Sequence, residues 1–228
     1  MRVKILGSRA KVESSESRYS QHSGAIIDGV ILLDLGEKGY LDLDPDYILI
    51  THLHPDHAVF VNEDLGKINV PVYAPEKTKE AEVQVLKESI SLNGYNTTPI
   101  PTHHSKLVES QAYLVENEGS RLLYTGDIIW IDKKYHDKIS DLNVVITDAS
   151  YIRKGGLVRK DEETGKLYGH NGIPNLVKLF KGLTEHIVFT HFGSWFYRDI
   201  EESKEKIREF SEQDLKVESA YDGFEIEV

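Results

Sequence analysis

The segment Thr51-His52-Leu53-His54-Pro55-Asp56-His57 constrains this chain more than any other. Three imidazoles and a carboxylate fall within six residues, and these side chains bind borderline divalent ions such as zinc or manganese. Alternate spacing sends His52 and His54 to one side of a strand end or tight turn. Asp56 and His57 then point elsewhere, as two neighbouring metals would require. A fold that satisfies this segment has to bring further ligands to it from distant loops.

Composition narrows the chemistry. The 228 residues include no cysteine, so disulfides and thiolate ligands are excluded and any metal takes nitrogen and oxygen. The length suffices to bury a sizeable core. The opening MRVKILG reads as a short strand rather than a signal peptide, and no apolar run approaches the ~18 residues of a membrane span. Cytoplasm is the expected location. A net charge of −11 argues against a grip on long nucleic acid. Arg153, Lys154, Arg159, Lys160 and Lys166 form a local basic stretch against Asp161, Glu162 and Glu163. It reads as an exposed charged loop, or as a mobile arm that touches an anionic substrate.

Short apolar runs at 3–6, 25–28, 31–34, 47–50 and 70–73 predict strands, with Gly29 at a hairpin turn. Pro75 is expected to open a helix that continues to about residue 91 and ends at Asn93-Gly94. Runs at 111–116 and 121–124 flank a second hairpin signature, Asn117-Glu118-Gly119-Ser120. Residues 142–147 predict a buried strand, 173–183 a helix, 186–190 a strand, 200–210 a charged surface helix and 223–228 a last strand. No Gly, Ser or Pro linker divides the chain. Residues 1–228 therefore read as one α/β domain, two sheets packed face to face with helices outside.

Further ligand candidates follow extended runs: Pro101-Thr102-His103-His104-Ser105, Tyr124-Thr125-Gly126-Asp127 and Thr190-His191-Phe192-Gly193. Taken singly, such an Asp is an ordinary turn former and such a His an ordinary surface residue. In order, THLHPDH, HHS, TGD and THFG, preceded by Leu33-Asp34-Leu35-Gly36, resemble the metallo-β-lactamase-fold hydrolase superfamily from residue 1 to about residue 193. The resemblance implies a four-layer αββα sandwich of two mixed β-sheets, with two divalent ions at one edge. Zinc is the expected ion, with manganese or iron as alternatives. His52, His54 and one histidine of the 103–104 pair would hold the first ion. His104 is preferred because it precedes Ser105, as the ligand commonly does in phosphodiesterase-like relatives. Asp56, His57 and His191 would hold the second ion, and Asp127 would bridge both together with a hydroxide.

Thr147-Asp148-Ala149-Ser150-Tyr151 and Tyr168-Gly169-His170-Asn171 are similar to the ribonuclease Z-like and cyclic-phosphate phosphodiesterase branch. A histidine at the position of His170 there assists proton transfer to the leaving oxygen. The plainer reading of His170 is a polar residue at a helix start, and of Asp148 a turn residue. The turn Leu6-Gly7-Ser8-Arg9-Ala10 departs from the glycine-rich turn typical of that branch, and no long basic arm for tRNA is evident.

The implied function is a binuclear metal-dependent hydrolase, a phosphodiesterase of a small phosphodiester, cyclic nucleotide or nucleic-acid end. Asp56, Asp127 and His170 are the residues expected to act in catalysis. The alternatives are a lactone, thioester or amide hydrolase, and a non-hydrolytic di-iron redox or metal-binding protein. A small anionic substrate is the expected partner and no membrane is involved. A homodimer is compatible, since relatives often complete their pockets across one. Ser105 and Lys106 are phosphate contacts or plain loop residues. Trp130, Trp195, Phe196 and Tyr197 line a pocket or belong to the core.

Overall fold

Strands of two to nine residues alternate between two apolar environments in the computed structural model, which describes residues 1–228. In chain order they are β1 (Arg2–Gly7), β2 (Gly24–Ile27), β3 (Ile31–Leu33), β4 (Tyr47–Leu49), β5 (Val72–Ala74), the two-residue β6 (Gln84–Val85), β7 (Ile90–Leu92), β8 (Tyr95–His103) and β9 (Gln111–Asn117). There follow β10 (Ser120–Tyr124), the two-residue β11 (Trp130–Ile131), β12 (Val144–Ala149), β13 (Leu157–Lys160), β14 (Leu167–His170), α1 (Ile173–Phe180), β15 (His186–Phe192), α2 (Ile200–Arg208), β16 (Lys216–Ser219) and β17 (Glu225–Glu227).

One mixed sheet runs β17-β1-β2-β3-β4-β5-β6 and the other β11-β8-β9-β10-β12-β15-β16, with β7 added on β8. Between them pack Val3, Ile5, Ile31 and Leu33 from the first sheet and Val115, Leu122, Val144 and Ile146 from the second. The intervening residues face outward: Leu32 and Ile48 from the first sheet, Leu123 and Val145 from the second. This period-two alternation makes each strand serve two cores.

The outer layers differ. Ile173, Leu176, Val177 and Phe180 of α1, with Ile207 of α2, cover the second sheet. The first sheet is covered by Tyr40, Val59, Phe60 and Val83, carried on 3₁₀ turns and loops. The expected helix over 75–91 is absent, and this corrects the reading of that segment. Of its apolar residues Val83 and Leu86 are buried, while Val85 is exposed and Gln84–Val85 pairs with the edge of β5. Edge pairing offers the backbone a tertiary partner that a half-formed apolar stripe does not. Asn93-Gly94 is instead the two-residue turn of the β7–β8 hairpin, with φ of 46° and 88°. The basic stretch is also ordered differently from a loop: β13 and β14 form a two-stranded hairpin. No helix is long and apolar enough to cross a membrane.

Parallel pairing within each sheet aligns the C-terminal ends of β3 and β4, and likewise those of β10, β12 and β15. These ends carry Asp34, the 51–57 segment, Asp127, Asp148 and His191, and they meet at one edge of the sandwich.

Candidate metal centre

Each side chain reaches this edge by a local backbone device. Gly126 turns at φ 58°, and a Cβ there would lie 2.4 Å from Thr51 Oγ1, so only glycine lets the turn before Asp127 press against the 51–57 segment. Opposite Asp148 and Ala149, β15 carries one extra residue, His191, at φ 58°. The bulge and its left-handed backbone cost about 1–3 kcal/mol, a strain held by the surrounding ladder. Asp34, also left-handed at φ 59°, ends β3.

The structure brings all seven sequence-predicted ligands together. His52 Nε2 lies 3.0 Å from His54 Nδ1, and His104 Nε2 lies 3.2 Å from it. Asp127 Oδ2 faces this group, 3.6 Å from His52 Nε2 and 3.5 Å from His104 Nε2. The other oxygen, Oδ1, faces a second group, 3.2 Å from His57 Nε2 and 3.1 Å from His191 Nε2, with Asp56 Oδ2 3.8 Å from His191 Nε2. His170 joins them: its Nδ1 donates to Asp148 Oδ2 at 2.7 Å and lies 3.9 Å from Asp127 Oδ2.

The outward nitrogens fix the rings. His57 Nδ1 donates to Asp34 Oδ2 at 2.7 Å, and His104 Nδ1 to the Gly169 carbonyl at 3.0 Å. His52 Nδ1 donates to Thr51 Oγ1 at 3.1 Å, and that hydroxyl in turn donates to Asp34. Ser23 Oγ lies 2.7 Å from His191 Nδ1. Such partners orient imidazoles that bind metals and select the tautomer.

Sequence reasoning had Asp34 only as a turn residue and missed Ser23 and the Gly169 carbonyl. Asp34 was detectable as a lone acid at a strand end. Ser23 and Gly169 carry no local signal, because each meets its histidine from far along the chain.

His103 does not join the cluster. Its Nε2 bonds Asp132 Oδ1 at 2.9 Å and its ring stacks on Trp130. Ser105 Oγ accepts from the backbone of Leu107 and Val108, and Lys106 pairs with Asp161, so neither lines the cleft above the cluster. Phe196 is core, Trp195 donates to the Ala149 carbonyl and Tyr197 to the Tyr19 carbonyl. Among the remaining histidines, His22 and His186 pair with Glu37 and Glu218.

The sequence profile of the Metallo-beta-lactamase superfamily matches residues 19–168. The chain belongs to this superfamily. Its fold matches YhfI from Bacillus subtilis, a metallo-beta-lactamase fold protein, with TM-score 0.71 at 14% identity, covering 100% of this chain and 99% of that one. A diphosphatase from the PhnP family matches with TM-score 0.69 at 19% identity, covering 100% and 97%. Human tRNase Z, short form, matches with TM-score 0.64 at 16% identity, covering 100% and 99%. At these identities the likeness is one of fold. No curated protein sequence matches the chain.

The residues fit the divalent ions that this superfamily of metal-dependent hydrolases uses. With the protons of His52 and His104 committed outward, at most one proton can lie among the three facing nitrogens, and a cation satisfies all three. Asp127 Oδ1 is buried and accepts no hydrogen bond, although two imidazole nitrogens lie close to it. A buried carboxylate oxygen without a partner is costly unless a charge is placed beside it.

Charge follows the same division. Burial holds His52 well below the usual histidine range, His54 below it, and His104 down to about 4, so this group offers neutral lone pairs. Burial acts the same way on His57, but Asp127 and Asp34 outweigh it and hold His57 well above. Burial would raise Asp127, yet His191, His57, His170 and His104 hold it well below the carboxylate range. Asp56 is lowered likewise by His57 and His191 against its burial. His170, despite burial, is pushed up to about 9 by Asp148 and Asp127.

Proposed function

We propose that this protein is a metal-dependent phosphodiesterase of a small anionic substrate. In this reading His52, His54 and His104 hold one divalent ion, Asp56, His57 and His191 hold a second, and Asp127 serves both. The observation that supports it most is the division of Asp127, whose two oxygens face the two histidine groups separately. Zinc suits this nitrogen-rich set, with manganese or iron also accommodated. When bound, such ions lower the pKa of water and polarise the bond under attack.

The remaining work falls to side chains of the cleft. His170 is anchored through Nδ1 to Asp148, which leaves Nε2 to carry a proton to a departing oxygen. Asp148 is almost fully buried and fixes the ring. The cleft, about 350 Å³, is at the small end of ligand pockets and suits a compact substrate better than a long polymer. Two proteins of like fold are named as a diphosphatase and a tRNase, which favours phosphorus over carbon as the centre attacked.

The test is turnover of bis-p-nitrophenyl phosphate beside an aryl lactone and a thioester, on metal-loaded protein. The reading expects phosphodiester turnover to exceed the others by at least roughly tenfold in kcat/KM, and His170→Ala to lower kcat by roughly 100-fold. Preference for the lactone or thioester would move the reaction to carbonyl carbon.

A further inference from the structure

One lysine lines the cleft, Lys11, and the protein gives it no partner. Like Lys38, Lys67 and Lys178, Lys11 makes no ion pair and no side-chain hydrogen bond, but unlike them it lines this cleft. The residues that flank it are held in place. The Val12 N–H donates to the Ala10 carbonyl at 2.7 Å, closing a three-residue turn with Lys11 at its apex. Ala10 N donates to the Phe192 carbonyl at 3.1 Å, which ties the turn to the residue after His191. The Arg9 guanidinium donates to the carbonyls of Val12 and Ser20, both at 2.7 Å, and locks the far side. A braced turn thus fixes where the Lys11 side chain starts, in the cleft above a site rich in buried charge, while its ammonium stays free to meet a ligand.

The same cleft contains Ser150, whose Oγ is buried without a hydrogen-bond partner although the residue is 8% exposed. Asp56, Asp127, His54, His170 and His191 also line it. Lys11 and those groups thus face one cleft, which a single small ligand can share.

We infer that Lys11 is a specificity residue that binds a second anionic group of the substrate, a carboxylate or phosphate borne on the part of the molecule that projects from the proposed metal centre. This rests on the phosphodiesterase reading. The substrate class becomes a small phosphoester with a further negative charge, rather than a simple dialkyl or diaryl diester.

The test uses two probes on metal-loaded protein, phenylphosphonate and 4-phosphonobenzoate, which differ by one carboxylate, with binding measured by titration calorimetry. The wild type is expected to prefer 4-phosphonobenzoate by about tenfold, the scale of one charge-assisted hydrogen bond. Lys11→Ala should abolish the preference, Lys11→Glu should invert it and Lys11→Arg should keep it. Equal binding of both probes by the wild type, or a preference that survives Lys11→Ala and Lys11→Glu, would overturn the inference alone. Failure of both probes to bind the wild type would overturn the phosphodiesterase reading and this inference with it.

Discussion

The two histidine groups on either side of Asp127 are built differently. His57 and His191 lean on Asp34 and Ser23, side chains fully or almost fully buried beneath the first sheet's strand ends, and His57 faces a full carboxylate. His52 and His104 lean on a hydroxyl and a backbone carbonyl, and His54, half-buried, has no outward partner at all. The carbonyl belongs to Gly169 at the base of the β13–β14 hairpin, an element that projects from the sandwich with exposed cations. His57 is thus tied directly to a buried carboxylate and His52 to the same carboxylate through Thr51, whereas His104 depends on the carbonyl of a peripheral hairpin. The difference teaches that a nearly symmetric ligand count can hide unequal support: Asp34 serves both groups, and only His104 leans on the hairpin.

Four substitutions break or sharpen this contrast. Asp127→Ala removes the shared carboxylate and is expected to lower phosphodiester kcat by roughly a thousandfold or more, measured at saturating metal. Asp34→Ala should weaken the His57–His191 side by roughly 10- to 100-fold in metal affinity, read by competition against a chromogenic chelator, and the other side by a smaller factor, through the loss of the acceptor of the Thr51 hydroxyl that holds His52. It also strips the Thr51 N–H of its acceptor, for a stability loss of about 1–3 kcal/mol in urea unfolding.

Gly169→Val targets the opposite side. Its φ is 116°, and a Cβ would fall 2.0 Å from the Leu157 carbonyl oxygen, so β14 has to shift and the His104 acceptor with it. About a tenfold loss confined to the His52–His54–His104 ion is expected in the same competition assay. Ser23→Ala, which removes a neutral partner of His191, should cost only severalfold on its side. The order Asp34 above Ser23 would be contradicted by equal effects.

The residues that the structure gathers at this edge were legible in the sequence because they lie in short local signatures. The segment from Thr51 to His57 is contiguous, and TGD and THFG mark strand ends where a glycine or a bulge turns the chain. His104 was separable from His103 by its neighbour Ser105, and the structure buries the one while pairing the other with Asp132. The partners that hold the rings were mostly not legible. Ser23 meets His191 across 168 residues and Gly169 meets His104 across 65, and no local pattern encodes either contact. The helix expected at 75–91 was misread for a related reason. Its apolar spacing was incomplete, and Asn93-Gly94 signals a hairpin more strongly than a helix end, given the extended run that follows it. Lys11, an exposed lysine in a polar stretch, carries no sequence signal; only the fold puts it in the same cleft as His191.

The most direct test of the account is metal stoichiometry by elemental analysis on untagged protein, wild type and Asp127→Ala side by side. The account expects close to two ions per chain in the wild type and a marked loss in the variant, with both oxygens of the shared carboxylate gone. A wild type that takes up none after incubation with zinc and manganese, or an Asp127→Ala protein that retains two, would contradict it.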